Sequence, residues 1–248
     1  MKYSLDNYAA TGDIGIVNVV DEPAGTEALF DSRVVRSYVA TQDGASVTIT
    51  VEPTTASTVS LVALVGVTGI TSVDVECLNA TVSQATASGT LSTPVQQTYI
   101  VVPISATADE ITITFDAGDT NQFSIGYLYV GDLSETLEIA SEAMNYRIES
   151  ANPRNITRAG TAITSDAYLY TQVDFTTQLE LFDTLRDRVR LWATDGYATP
   201  RLWYFDEACV LTGEAVYGIL DSESIQIDPR YADNAIFAEL TGGIREVF

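Results

Sequence analysis

The 248-residue sequence has no histidine, only two cysteines, a single lysine and no apolar run long enough to cross a membrane. Without histidine the chain lacks the commonest general base, a leading metal ligand and the usual middle member of nucleophilic triads, which excludes most familiar hydrolase designs. Cys77 and Cys209 stand 132 positions apart, with neither a CxxC motif nor the numbers for a disulfide framework. Both read as reduced core thiols of a chain made in a reducing cytoplasm. The longest apolar stretch, Leu61 to Val67, falls far short of the ~18 residues of a membrane span. The opening Met-Lys-Tyr-Ser-Leu-Asp-Asn-Tyr carries no apolar signal core, so neither export by a visible signal nor membrane insertion is expected. GxSxG, P-loop and dinucleotide glycine motifs are also absent.

What the sequence has in excess is negative charge. Thirty-four Asp and Glu oppose twelve Lys and Arg, for a net charge of −22. The acidity is spread over the chain: 14 acidic and 3 basic residues precede Asp132, and 20 acidic and 9 basic follow from it. Such a field repels phosphate backbones and anionic lipid, which argues against a nucleic-acid partner or a polybasic membrane contact. A hydrophobic fraction of 46% with 19% charged residues belongs to a folded chain, with length enough for one large β domain or two ordinary ones.

The apolar pattern is that of strands. Residues 1–45 read as short extended segments and loops punctuated by Gly12, Gly15, Pro23 and Gly25. From there β-branched residues alternate with small polar ones at Val47–Val51, Val59–Val65, Ser72–Glu76, Gln97–Ile104, Glu110–Phe115 and Phe123–Val130. Turn signals separate them at Gly66–Gly69, Ala87-Ser-Gly89 and Asp116–Asp119. This spacing predicts an antiparallel β-sandwich, jelly-roll-like, over residues 1–132. Gly131-Asp-Leu-Ser-Glu marks a boundary, because the Thr/Val-rich composition gives way to Arg, Tyr and Glu.

Residues 133–248 hold the best helix pattern, Gln178 to Ala193, with Leu181, Leu185, Val189 and Trp192 at helical spacing. Thr176 or Thr177 would cap it, Glu180 would complete a capping box, and Asp195-Gly196 would end it. Strands are expected at Ala167–Phe175, Arg201–Phe205, Ala208–Leu211, Ala215–Leu220, Ser224–Ile227 and Ala235–Leu240. One main helix among antiparallel strands suggests a β-rich α+β, split-barrel-like domain. The fold class is therefore mainly β throughout.

Candidate chemistry is sparse. Asp116, Asp119 and Asn121 place three oxygen-bearing side chains within six residues, a set Ca²⁺ can use, though the EF-hand spacing and its terminal Glu are missing. The competing reading is a plain Asp/Gly turn. Asp109-Glu110 and Asp206-Glu207 are neighbours whose side chains would point to opposite faces of a strand, a poor arrangement for an acid/base pair. Leu202-Trp-Tyr-Phe205 could line a sugar groove or form a core strand, the alternation favouring the latter. Arg186, Arg188 and Arg190 are expected to pair with Glu180, Asp183 and Asp187 rather than bind phosphate.

Taken together, Ser46–Val51, Ser57–Gly66, Glu110–Phe115 and Ile125–Gly131 resemble the galactose-binding-like sandwich of structural proteins encoded in tail and fibre gene clusters of tailed bacteriophages. Asn152-Pro-Arg, Thr157–Gly160, the helix, Thr199–Trp203 and Tyr217–Leu220 are similar in layout to their C-terminal module and to tail-tube and tail-hub split barrels. The resemblance implies a non-enzymatic, homo-oligomeric virion protein of the tail or baseplate that is made in the host cytoplasm, joins other tail proteins and needs no cofactor. After Leu64-Val-Gly66 the chain lacks the His-Asn pair found in many such sandwiches, which counts against an inherited ligand site. Two rival functions are a carbohydrate-binding module for host-surface glycans and a polysaccharide-degrading enzyme, which would need two carboxyl groups about 5–10 Å apart in a cleft.

Overall fold

The structure is a computed structural model that describes residues 1–4, 6–20, 25–31, 34, 36–93, 97–119, 121–151, 154–156, 162–164, 168–196, 199–206, 211–232 and 235–247. Of these, 141–143, 149–151, 154–156, 162–164, 168–170, 195 and 232 are described as backbone alone. In chain order the strands of the first half are β1 (Lys2–Tyr3), β2 (Asp13–Val17), β3 (Val19–Val20), β4 (Tyr38–Gln42), β5 (Val47–Glu52), β6 (Ser57–Val65), β7 (Ser72–Asn79), β8 (Val82–Ser92), β9 (Tyr99–Ala108), β10 (Glu110–Phe115), β11 (Gln122–Ile125) and β12 (Tyr127–Gly131). Those of the second half are β13 (Glu135–Thr136), β14 (Ile139–Ala151), β15 (Arg154–Ile156), β16 (Ala162–Thr164), β17 (Tyr168–Thr177), β18 (Glu180–Leu181), β19 (Arg201–Tyr204), β20 (Ala215–Leu220), β21 (Gln226–Ala232) and β22 (Ala235–Glu246). A four-residue helix α1 (Tyr8–Thr11), a 3-10 turn at Thr26–Phe30 and the main helix α2 (Phe182–Asp195) complete the described elements. The fold is mainly β and antiparallel, with one main helix, as the alternation of the sequence predicts.

An eight-stranded sheet in the order β12-β6-β9-β8-β7-β10-β5-β2 curls on itself. Its inward side chains, among them Ile49, Val62, Val75, Val102, Ile113 and Phe115, form one core. β8 turns the corner: Ser72–Asn79 pair with its first nine residues, while Leu91 and Ser92 pair with Ile100 and Tyr99 of β9. The expected turn at Ala87-Ser-Gly89 is therefore the interior of a strand. Glycine serves there by lacking a side chain, since a Cβ on Gly89 would lie 2.7 Å from Val102 Cγ2 and 2.8 Å from the Val101 carbonyl oxygen. The single strand expected at Phe123–Val130 divides at Gly126 into β11, which joins a small sheet with β4 and β3, and β12.

The second sheet runs β13-β1-β19-β20-β22-β17-β14, with β18 and β21 on other stretches of β22. The N-terminal strand thus belongs to it: Lys2 pairs with Thr136 on one side and Tyr204 on the other. α2 covers this sheet with Leu185 and Trp192 buried. The helix starts later than its pattern suggests, because β22 draws Glu180 and Leu181 into register with Ala238 and Phe237. No side chain caps it. Thr177 instead ends β17, and its hydroxyl accepts the Leu240 N–H at 3.1 Å. Glu180 pairs with Arg188 at 3.2 Å, Arg186 with Asp183 at 2.8 Å, and Arg190 with Asp187 at 3.5 Å. The helix ends at Gly196, whose φ of 85° suits glycine. Of the strand expected at Ala208–Leu211, residues 208–210 lie outside the described residues, and Leu211 sits in a turn.

The two cores share a wall. Along β6, Val62 and Leu64 face the curled sheet while Leu61, Ala63 and Val65 face the second sheet, and β9 and β12 divide their side chains in the same way. A strand buried on both faces has no polar face, which explains why Leu61–Val65 is the most continuous apolar run in the sequence.

Candidate functional site

Where the sandwich meets the second sheet, a cleft of about 220 Å³ opens between the N-terminal segment, β12 and the start of β19. Its wall is organised by Asn7, which caps α1. The Asn7 carboxamide oxygen accepts the N–H groups of Ala9 and Val130 at 3.1 and 3.0 Å, and its nitrogen donates to the Leu128 carbonyl and the Tyr127 hydroxyl at 2.8 and 3.0 Å. That uses the full ordinary hydrogen-bonding capacity of one amide and ties α1 to β12. Tyr127 stacks on Tyr217 with centroids 4.3 Å apart, and Tyr129 is buried beside it. Arg201, 4% exposed, lines the opposite side with Leu202, and Asp6 and Thr199 stand at the open rim.

Burial raises the Tyr127 and Tyr129 hydroxyls above the ordinary phenol range, with hydrogen bonds from Asn7 and Ser4 respectively opposing the shift. Both stay protonated at neutral pH and can donate or accept hydrogen bonds. Asp6 is the one carboxylate among the described lining residues. The cleft is equipped to hold a small polar molecule through hydroxyl and guanidinium groups. The two carboxyl groups that glycoside hydrolysis requires are not found together among the described lining residues.

Two further grooves lie on the curled sheet. One, of about 320 Å³, is open on its outer face and brings together Asp74 and Glu76 of β7 with Thr112 and Thr114 of β10 and Thr86 and Ser88 of β8. These residues sit opposite one another in register, Thr114 against Asp74 and Thr112 against Glu76. The other, of about 350 Å³, joins β8 to the second half, with the Ser92 hydroxyl donating to Glu214 at 2.7 Å.

Asp116, Asp119 and Asn121 lie between β10 and β11, all exposed. Gln42 crosses this loop, its amide oxygen accepting the Ala117 N–H at 2.6 Å and its nitrogen reaching Asp116 at 3.4 Å. The Asn121 N–H donates to Gly118, and the Asn121 carbonyl accepts the Gln42 N–H at 2.7 Å, with Asn121 at φ 53°. Among the described residues no group of three or more His, Cys, Asp or Glu side chains converges anywhere. Asp109 caps the β7–β8 hairpin by accepting the Ala80 N–H at 2.9 Å. Asp206 binds Lys2 at 2.9 Å and the N-terminal ammonium at 3.2 Å, while Glu207 lies outside the described residues. Trp203 and Phe205 are buried and Tyr204 is half-buried, so this segment is a core strand.

Cys77 is a buried free thiol, pushed up to about 11 by burial, and Cys209 lies outside the described residues. Asn7, Tyr127, Tyr129 and Arg201 escape sequence reasoning as site residues, because the segments that carry them join only in the folded chain. The alternation Tyr127-Leu-Tyr129 is their one visible signal. No protein-family model matches this chain, and a search of curated proteins returns no significant relative.

Proposed function

We propose that this protein is a non-enzymatic structural component of a tailed-phage tail or baseplate, joining other virion proteins through β elements that stand clear of its core. The observation that carries the reading is the β21–β22 hairpin. Tyr231 is 82% exposed and sits in register with Ile236, 39% exposed. These two continue the apolar face of β22 past Ala238 and Leu240, which are buried under α2. An apolar pair held out on a hairpin suits a partner surface, and a single exposed aromatic there has the character of an interface anchor. The test is co-expression with the proteins encoded beside it: a complex that Tyr231→Asp dissolves, with an unchanged melting temperature, is the expected result. Failure to bind any neighbour would sink the proposal.

A second reading, recognition of host-surface glycan, draws on the cleft around Asn7, Tyr127 and Arg201. It expects binding to immobilised cell-surface polysaccharide that Asp6→Ala weakens without changing thermal stability. No binding across a panel of such polysaccharides would remove it.

A further inference from the structure

The nine-stranded sheet ends on an open strand. β14 pairs with β17 in unbroken register over Met144–Ala151, and among the described residues nothing pairs with its other side. An unpaired antiparallel edge presents a row of N–H and C=O groups that another strand can complete. Met144 and Tyr146 pack on the core, and Ile148, next on the same face, is 51% exposed. Arg147 faces the other way, 49% exposed and 3.3 Å from Asp174.

We propose that β14 pairs with β14 of a second copy of this chain, antiparallel, about a two-fold axis at Ile148. An isologous contact of this kind must be self-complementary. For a two-fold normal to the sheet, opposed residues share a face, so the axis must fall on a residue. Placed on Arg147 or on position 149, a glutamate, it would set like charges directly opposite, which destabilises a strand pair. Placed on Tyr146, it would run the ladder into 140–143, where β14 loses its regular register with β17. At Ile148 the two exposed isoleucines meet, and Arg147 of each copy stands opposite Glu149 of the other. The ladder then spans Asn145–Ala151 on both chains. Charge alternation selects one register out of several, as an edge must if it is to pair once and not aggregate.

The pairing rests on the assembly reading above, of which it would be one contact. It is tested on the full chain by light scattering over a wide concentration range at about 0.15 M salt, where the Debye length is about 8 Å and the repulsion between two strongly acidic copies is largely screened. A monomer–dimer equilibrium is expected. Ile148→Lys should raise the dissociation constant about tenfold or more by facing two ammonium groups. Arg147→Glu should weaken the dimer, and adding Glu149→Arg to it should restore the pairing. Should the lysine variant misfold, Ile148→Cys in the otherwise native chain decides, because a short bis-maleimide should then link two copies where the unsubstituted chain is not linked. A wild-type monomer at every concentration, a dimer indifferent to Ile148→Lys, or no cross-link in the Ile148→Cys variant would each overturn the pairing. Neighbour binding that survives in those cases leaves the assembly reading standing, whereas its loss as well removes both.

Discussion

At the scale of single residues the protein is held by tyrosines and tryptophans whose polar atoms are spoken for. The Tyr3 hydroxyl accepts the Trp192 indole N–H at 2.9 Å, and its ring lies 4.8 Å from that of Trp203. Burial pushes the Tyr3 phenol up to about 12, with Trp192 opposing the shift. Tyr3→Phe keeps the packing but strands the buried indole N–H, so it should cost about 1–3 kcal/mol in chemical denaturation. A loss too small to measure would mean that the indole has another acceptor. Asp206 gives a pH test. Burial would raise its carboxyl, but hydrogen bonds from Lys2 and the N-terminal ammonium outweigh this and hold it below the usual range. Its folded-state value is depressed, so the stability it adds is present above the unfolded value near 4 and is lost as pH falls through the folded one. Asp206→Asn should therefore destabilise by about 1–2 kcal/mol at pH 7, with the difference from wild type narrowing in acid melts below about pH 4.

At the scale of elements, what was legible in the sequence depended on whether neighbours overruled local pattern. Glu110–Phe115 and Ala215–Leu220 form strands with the predicted bounds, because alternation and turns agree with their pairing on both sides. Thr177 and Glu180 make a good capping box on paper, yet β22 offers Glu180 and Leu181 ladder partners, and tertiary pairing wins. β14 was missed because its polar residues give it no clean period, while β17 supplies the register. The Asn7 cleft was hidden for a related reason, since it is assembled from three segments far apart in the chain, around Asn7, Tyr127 and Arg201. Gly89 resembles a turn glycine in sequence and is a corner glycine in the structure. Gly89→Val should cost about 1–3 kcal/mol through overpacking against β9, measured as a lowered urea midpoint at unchanged slope. A neutral result would show that β8 can move off Val101.

For the whole molecule, a net charge of −22 with its acidic residues spread along both halves makes self-repulsion a standing cost of compactness. Moving from about 0.01 M to about 0.15 M salt shortens the Debye length from about 30 Å to about 8 Å, and should raise the melting temperature. An unchanged or falling value would mean that local ion pairs such as Arg188–Glu180 outweigh the long-range term.

β6 ties the two halves into one cooperative body. A strand whose opposite faces belong to different cores leaves no plane along which the chain can be cut without wetting one of them, so an excised half would present a bare apolar wall and aggregate. The folding unit is then larger than either sheet. Deuterium should reach the amides of Leu61–Val65 only through global opening, with one common opening free energy equal to that of unfolding.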